Sequence, residues 1–128
     1  MSSLKSFKPI LVTGGAKRIG LAIAQRFADL GHPVIIHASP RTAEAAEAET
    51  KSLVKSGVRA RCIIADLSKY EETAGLIEQA SQIYGPVETL VNNASVFEVD
   101  AAENFDLNLY ETHMAVNLRA PEIGRAHV

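Results

Sequence analysis

The 128 residues contain no tryptophan, one cysteine (Cys62), two methionines, five prolines and only three tyrosines and four phenylalanines. A single cysteine excludes an internal disulfide framework and any thiolate metal cluster. The sparse aromatics, together with a net charge of −2 from 13 basic and 15 acidic residues, provide neither the stacking platform nor the basic face that nucleic-acid binding uses. No apolar run approaches the roughly 20 residues that a bilayer span requires. Met1 to Pro9 carries Lys5 and Lys8 but no apolar stretch or cleavage site, so no secretory signal is visible and a reducing cytoplasm is the expected setting. What is abundant is apolar residue, 47% of the chain, enough to fill a core and to argue against disorder.

Those apolar residues alternate between short runs and longer amphipathic stretches, the pattern of a parallel sheet covered by helices. Ile10-Leu11-Val12-Thr13 reads as a first strand. Ile19, Ala22, Ile23, Phe27 and Leu30 recur at helical spacing until Gly31 supplies a left-handed stop. Val34 to His37 is a second strand, Thr42 to Ser56 a helix ended by Gly57, and Arg59 to Ala65 a third strand. Ser68-Lys69-Tyr70-Glu71 fits a capping box opening a helix that reaches Tyr84, stopped by Gly85-Pro86. Val87 to Val91 forms a fourth strand, and Asp106 to about Leu118 another helix. The sequence predicts an α/β fold with a doubly wound parallel sheet and no internal domain boundary. Two modules share that architecture, a dinucleotide-binding sheet and a phosphoacceptor module of the response-regulator type. The second would want an acidic pair after strand one and a late Lys, and only Asp66 agrees with it.

Ligands of such sheets bind at the carboxyl ends of the strands. There, Thr13-Gly14-Gly15-Ala16-Lys17-Arg18-Ile19-Gly20 joins the first strand to its helix, and small residues let backbone amides and the positive helix end approach a pyrophosphate. The loop matches neither G-x-G-x-x-G nor the Walker spacing, so a plain structural turn is the competing reading. An NAD site usually ends its second strand with a carboxylate for the ribose 2′-hydroxyl. This chain has His37-Ala38-Ser39-Pro40-Arg41-Thr42 there, with Lys17 and Arg18 close by, which favours the 2′-phosphorylated cofactor, NADP. A charged hydrogen bond of that kind contributes about 1.5–3 kcal/mol. His37 and Arg41 also admit bland readings, as a strand-end cap and a solvated helix start.

Four marks then fall in order: Thr13-Gly14 to Ile19-Gly20, Asp66-Leu67 after strand three, Asn92-Asn93-Ala94 after strand four, and Asn117 in the next helix. In this the chain resembles the short-chain dehydrogenase/reductase family from Pro9 to Pro121. Arg18 stands where the family pattern has glycine. With Lys17 beside it and Asn92-Asn93-Ala94-Ser95-x-Phe97 downstream, it resembles the pteridine-reductase branch, whose members use NADPH to reduce dihydropterins. The resemblance implies a Rossmann-type sheet of which only the N-terminal half is present, a small-molecule substrate, and a homo-oligomeric parent. It places Gly14, Lys17, Arg18, Ile19 and Gly20 on the cofactor's phosphates and ribose, Asp66 and Leu67 beside the adenine, and Asn93 and Ala94 on the nicotinamide side. Ser95 and Phe97 would face the substrate, the ring of Phe97 offering a stacking surface. Asn117 would hold a water-linked proton relay. Simpler readings stand beside these: Phe97 packing under a loop, the asparagines satisfying turn backbone, Asn117 a kink in its helix.

The family's Tyr-x-x-x-Lys pair, which donates the proton, is absent, since Tyr70, Tyr84 and Tyr110 are followed four residues later by Ala74, Glu88 and Met114. A non-catalytic dinucleotide sensor is therefore the alternative to an oxidoreductase. Glu122-Ile123-Gly124-Arg125-Ala126-His127-Val128 is the translation of a widely used short-read sequencing adapter, and Gly124 is predicted to break the helix there. Residues 1–121 are thus read as a truncated NADP-binding domain and 122–128 as a non-native tail. Recovering the same codons in an intact genomic locus would overturn that expectation.

Overall fold

The computed structural model describes residues 7–98 and 102–128, so most of the opening segment read above for a secretory signal, residues 1–6, lies outside it. Strands β1 (Ile10–Val12), β2 (Val34–Ala38), β3 (Ala60–Ile64) and β4 (Thr89–Val91) pair in parallel in the order β3-β2-β1-β4. The register aligns Leu11 with Ile35 on one side and with Leu90 on the other. Helices α1 (Arg18–Asp29), α2 (Ala43–Lys55) and α3 (Tyr70–Tyr84) form the crossovers, with α4 (Leu107–Met114) and α5 (Ala120–His127) after β4.

Every residue of β1 and β2 is buried, as expected of strands covered on both faces. Alternation sorts them by face. Ile10, Val12 and Ile36 pack with Ala16, Ala24 and Ala46 beneath α1 and α2. Leu11 and Ile35 pack with Leu67, Leu76, Ile77, Ala80, Val116 and Ala120 on the opposite side. The sheet is therefore doubly wound, and chain order reverses beside β1: β2 leaves to one side, β4 to the other. That reversal opens a crevice at the carboxyl ends of β1 and β4. Among the described residues no helix is long and apolar enough to cross a membrane.

Two local expectations need correction. The capping box does not form: Lys69 is the residue preceding α3, and no side chain caps it. Asp66 pre-empts Ser68, its Oδ1 accepting from the Ser68 N–H at 2.9 Å and the Ser68 hydroxyl at 2.7 Å. Glu72, rather than Glu71, reaches back to accept from the Asp66 N–H at 2.8 Å. Nor does Gly124 break its helix. The run from Leu107 continues through a π-helical turn at Ala115–Arg119 into α5, which ends at His127. Pro121 offers no N–H to the carbonyl four residues back, and the helix widens just before it. Gly124 is buried instead, because a Cβ there would lie 2.9 Å from Leu90 Cδ2; its bare backbone lets α5 sit on β4.

Truncating Leu11, fully buried between β2 and β4, is expected to cost about 2–5 kcal/mol. Val54→Ala, at a side chain 53% exposed, should cost about 0.5 kcal/mol or less. Urea unfolding followed by circular dichroism measures both, and equal costs would contradict the assignment of Leu11 to the core.

Candidate functional site

The crevice is closed at its base by a clasp between the ends of β1 and β4. Thr13 is buried, and its Oγ1 accepts from the N–H groups of Asn93 and Ala94, each at 3.0 Å. In return Asn93 Nδ2 donates to the carbonyls of Thr13 (3.2 Å) and Gly14 (3.0 Å). Side chain and backbone thus exchange four bonds across two strands that are far apart in sequence.

Above the clasp the glycine loop is drawn tight. Gly14 adopts φ +63°, and a Cβ on it would stand 2.9 Å from Ala94 Cα. A Cβ on Gly20 would strike the Gly14 carbonyl oxygen. These two positions admit only glycine because the first turn of α1 and the β4 exit both lie against the loop. Lys17 leads into α1 in an extended conformation (φ −145°, ψ 159°), with no capping side chain and no acidic residue in the first turn. The first amides of α1 have no partner within the helix, so its positive end faces the crevice without a counter-charge. Arg18 has φ +51°, the only non-glycine residue with positive φ among those described. The departure from glycine noted in the sequence therefore sits at a left-handed position, where a side chain carries backbone strain of about 1–3 kcal/mol.

A cleft of about 320 Å³ follows from this arrangement. It brings together Gly14, Lys17, Arg18, Ile19, Gly20, Asn93, Ala94 and Ser95 from the sequence reading. Thr42 also lines it and was missed. Its signal was Ser39-Pro40: the proline starts a 3-10 turn, Pro40–Thr42, that folds residue 42 back toward the loop. Thr13 was read as part of the motif without a role, since nothing in one sequence says that its hydroxyl reaches residues 93 and 94.

Other sites lie apart from this cleft. His37 is a correction: its ring is buried behind the loop, where Nδ1 accepts from the Gly14 N–H at 3.1 Å and Nε2 donates to the Ala65 carbonyl at 2.9 Å. Burial pushes its pKa below the ordinary value, opposed by the Ala65 bond. Both ring nitrogens are used, leaving none for a ligand. The side chain of Leu67 is buried in the core with Leu76 and Ile77. Asp66 lies outside the cleft lining, its carboxyl held below the usual range first by the Ser68 hydroxyl and then by the Ser68 N–H. Ser39 is half-buried, its Oγ 3.5 Å from Thr42 Oγ1, and Arg41 is exposed. Phe97 does not line the cleft and is 86% exposed, so it does not pack under a loop. Asn117 sits in the π-helical turn, where its amide brackets Val96: Oδ1 accepts from the Val96 N–H and Nδ2 donates to its carbonyl, both at 2.8 Å. That pair of bonds fixes the chain leaving β4 just past Ser95.

The sequence model of the short chain dehydrogenase family matches residues 8–126. An uncharacterized oxidoreductase, YxjF, of Bacillus subtilis is 36% identical over 118 residues, covering 92% of this chain and 45% of the relative. The solved structure of FolM alternative dihydrofolate reductase 1 from Brucella canis, complexed with NADP, is 42% identical with a TM-score of 0.86. The match covers 93% of this chain and 48% of that one. A blue fluorescent protein from a metagenomic library, in complex with NADPH, is 35% identical with a TM-score of 0.88, covering 94% of this chain and 49% of that one. The chain spans about half the length of the relatives it matches.

Replacing Thr13 by Val keeps the shape and removes the hydroxyl, leaving the Asn93 and Ala94 amides without their acceptor. The expected cost is about 1–3 kcal/mol in unfolding free energy, whereas Thr13→Ser should retain most of the stability. Denaturant titration distinguishes the two, and a neutral Thr13→Val would remove the clasp from the account.

Proposed function

The chain belongs to the short-chain dehydrogenase family, and from that premise we propose that it is the cofactor-binding half of an NADP(H)-dependent reductase. The observation that carries this reading is the uncapped first turn of α1, with its free amides and with Lys17 and Arg18 lining the same cleft. The cradle fits a dinucleotide. Gly14 and Gly20 leave free the space a Cβ would fill, and the amides beside them suit the pyrophosphate. No carboxylate lines the cleft to repel a 2′-phosphate, and Lys17, Arg18 and Thr42 provide the charge and hydroxyl to hold it. The B. canis and metagenomic neighbours, both in complex with the phosphorylated cofactor, support the same choice.

When bound, the cofactor supplies a hydride for transfer to a carbonyl or to a dihydropterin-type C=N. The chain's own residues orient and enclose. Asn93, Ala94 and Ser95 line the cleft, and Asn117 holds Val96 and thereby the backbone just past Ser95. The exposed ring of Phe97 offers a planar heterocycle a stacking surface. A dihydropterin-type substrate for the whole protein rests on that ring and on the 42% identity with the alternative dihydrofolate reductase. The 128 residues hold no Tyr-x-x-x-Lys pair to donate the proton. That absence keeps one second reading, a non-catalytic dinucleotide sensor.

Titrating the chain with NADPH and NADH and following nucleotide fluorescence should give at least about a tenfold tighter Kd for NADPH, the equivalent of one charged hydrogen bond. Lys17→Ala combined with Arg18→Gly should erase that preference. Glycine at residue 18 keeps the left-handed backbone, so a loss would report the side chains. Equal affinities in the unaltered chain would contradict the NADP assignment. NADPH oxidation with 7,8-dihydropterin or quinone should stay at background, because loss of general-acid help alone costs about 10²–10⁴ in rate. Sustained turnover would refute the half-site reading.

A further inference from the structure

His37 is the one buried histidine among the described residues, and the cofactor cleft does not use it. Its two bonds fix its chemical state. A backbone N–H can only donate, so Nδ1, 3.1 Å from the Gly14 N–H, must carry a lone pair. A carbonyl can only accept, so Nε2, 2.9 Å from the Ala65 oxygen, must carry the proton. The ring is neutral and in one tautomer. It ties three elements together, because Gly14 opens the phosphate loop, His37 lies in β2 and Ala65 follows β3. The backbone adds a second tie, Gly15 N–H donating to the His37 carbonyl at 3.0 Å, and Ala65 N–H to that of Ala38 at 3.0 Å.

We propose that His37 is a positioning residue for the cofactor cradle, its neutral Nε2–H ring holding the Gly14 amide so that protonation of the ring releases the loop and weakens cofactor binding in acid. This rests on the NADP(H) reading above and deepens it. Adding a proton at Nδ1 sets two donors, ring N–H and Gly14 N–H, against each other at 3.1 Å. The bond is lost and one of the two must move. Because Gly14 already touches Ala94 and the first turn of α1, it has no room to retreat without opening the cleft.

The charged groups on the surrounding elements do not offset this. From the loop come only Lys17 and Arg18, both cationic and lining the cleft. From the end of β3 comes Asp66, whose carboxylate is bonded to Ser68, and from the first turn of α3 comes Glu72, whose carboxylate is taken up by the Asp66 N–H at 2.8 Å and by Lys69. β1 carries no charged residue; on β3, Arg61 is exposed. Burial in these surroundings disfavours the charged ring, as the lowered pKa indicates. The sign follows. The unfolded chain, with histidine near 6.5, takes up the proton before the folded one. Stability and cradle order are therefore present above about pH 6.5 and are lost as pH falls through the lower folded value.

Two replacements separate the bonds. In His37→Asn the amide oxygen stands near the position of Nδ1 and retains the acceptor for Gly14, without a titrating group. In His37→Gln the amide nitrogen stands near Nε2 and retains the donor to Ala65 while losing the acceptor. Kd for NADPH is measured for the three proteins from pH 7.5 to 5.5. At pH 7.5 the Gln variant should bind about three- to tenfold more weakly than the unaltered chain, and the Asn variant within about threefold. On acidification the unaltered chain should lose affinity faster than the Asn variant. The titration of the 2′-phosphate itself is common to all three and cancels in that ratio.

A measurement on the unaltered chain serves if a variant fails to fold. Nitrogen-15 spectra of the His37 ring should show the Nε2–H tautomer at pH 7.5, and the Gly14 amide resonance should move with the ring's titration. An Nδ1–H tautomer, a Gly14 amide indifferent to that titration, or parallel pH profiles for the unaltered and Asn proteins would overturn the proposal. So would an affinity that rises in acid only in the unaltered chain, since the ring would then act as a charge. Failure of the unaltered chain to bind NADPH even at pH 7.5 would instead refute the cofactor reading and this proposal with it.

Discussion

The hydroxyl of Thr13 accepts two backbone amides at once, those of Asn93 and Ala94, and the geometry of the crevice follows from that. Parallel neighbours β1 and β4 share a short ladder of three residue pairs, too brief to define where their exits point. The clasp extends the pairing past the strands, with the Asn93 amide returning two bonds to the Thr13 and Gly14 carbonyls. Satisfying those groups internally leaves the loop backbone close to β4, and that closeness excludes a Cβ at Gly14 and Gly20. The first turn of α1 is held at the crevice edge as a result. The uncapped start of α1, with no acidic residue in its first turn, therefore lies beside the clasp, where the orphan amides of a helix end carry partial positive charge.

Charge and strain act on the same few residues. α4 is capped by Asp106, whose carboxylate accepts from the N–H groups of Asn108 and Leu109 and neutralises that helix end. α1 has no such cap, and the two side chains flanking its start are cationic. An isolated surface loop has little reason to keep Arg18 in a left-handed conformation that glycine adopts without cost. The strained residue is one that lines the cleft.

Much of the architecture was legible because it depends on periodicity. Fully buried strands read as unbroken apolar runs, and the helices as 3.6-residue patterns ended by Gly31 and Gly57, both of which take positive φ. Among the cleft residues, Gly14 and Lys17 to Gly20 were legible from the small residues between strand and helix, and Asn93 to Ser95 through the family resemblance. Burial of a polar side chain was not. His37 looks from the sequence like a residue at the ligand, and only the path of β3 places Ala65 on its far side. Competition between neighbouring caps was equally hidden, as Ser68 shows: its hydroxyl is drawn to Asp66 two residues before instead of to the helix ahead. Asn117 and Val96 are 21 residues apart, and their paired bonds depend on where the π-helical turn faces. In each case the deciding partner is distant in sequence and chosen by the fold.

The central claim, that the clasp aims the uncapped end of α1 at an anionic dinucleotide, is tested most directly by an NMR titration of the nitrogen-15-labelled chain with NADP⁺. The backbone amides of Gly14 to Gly20 and Asn93 to Ser95 should shift together, saturating on one isotherm. The largest changes should fall on Arg18, Ile19 and Gly20. Shifts confined to other grooves, such as that between Ser68, Asn108 and Arg119 or the open edge of β4, with the α1 amides unmoved, would contradict it.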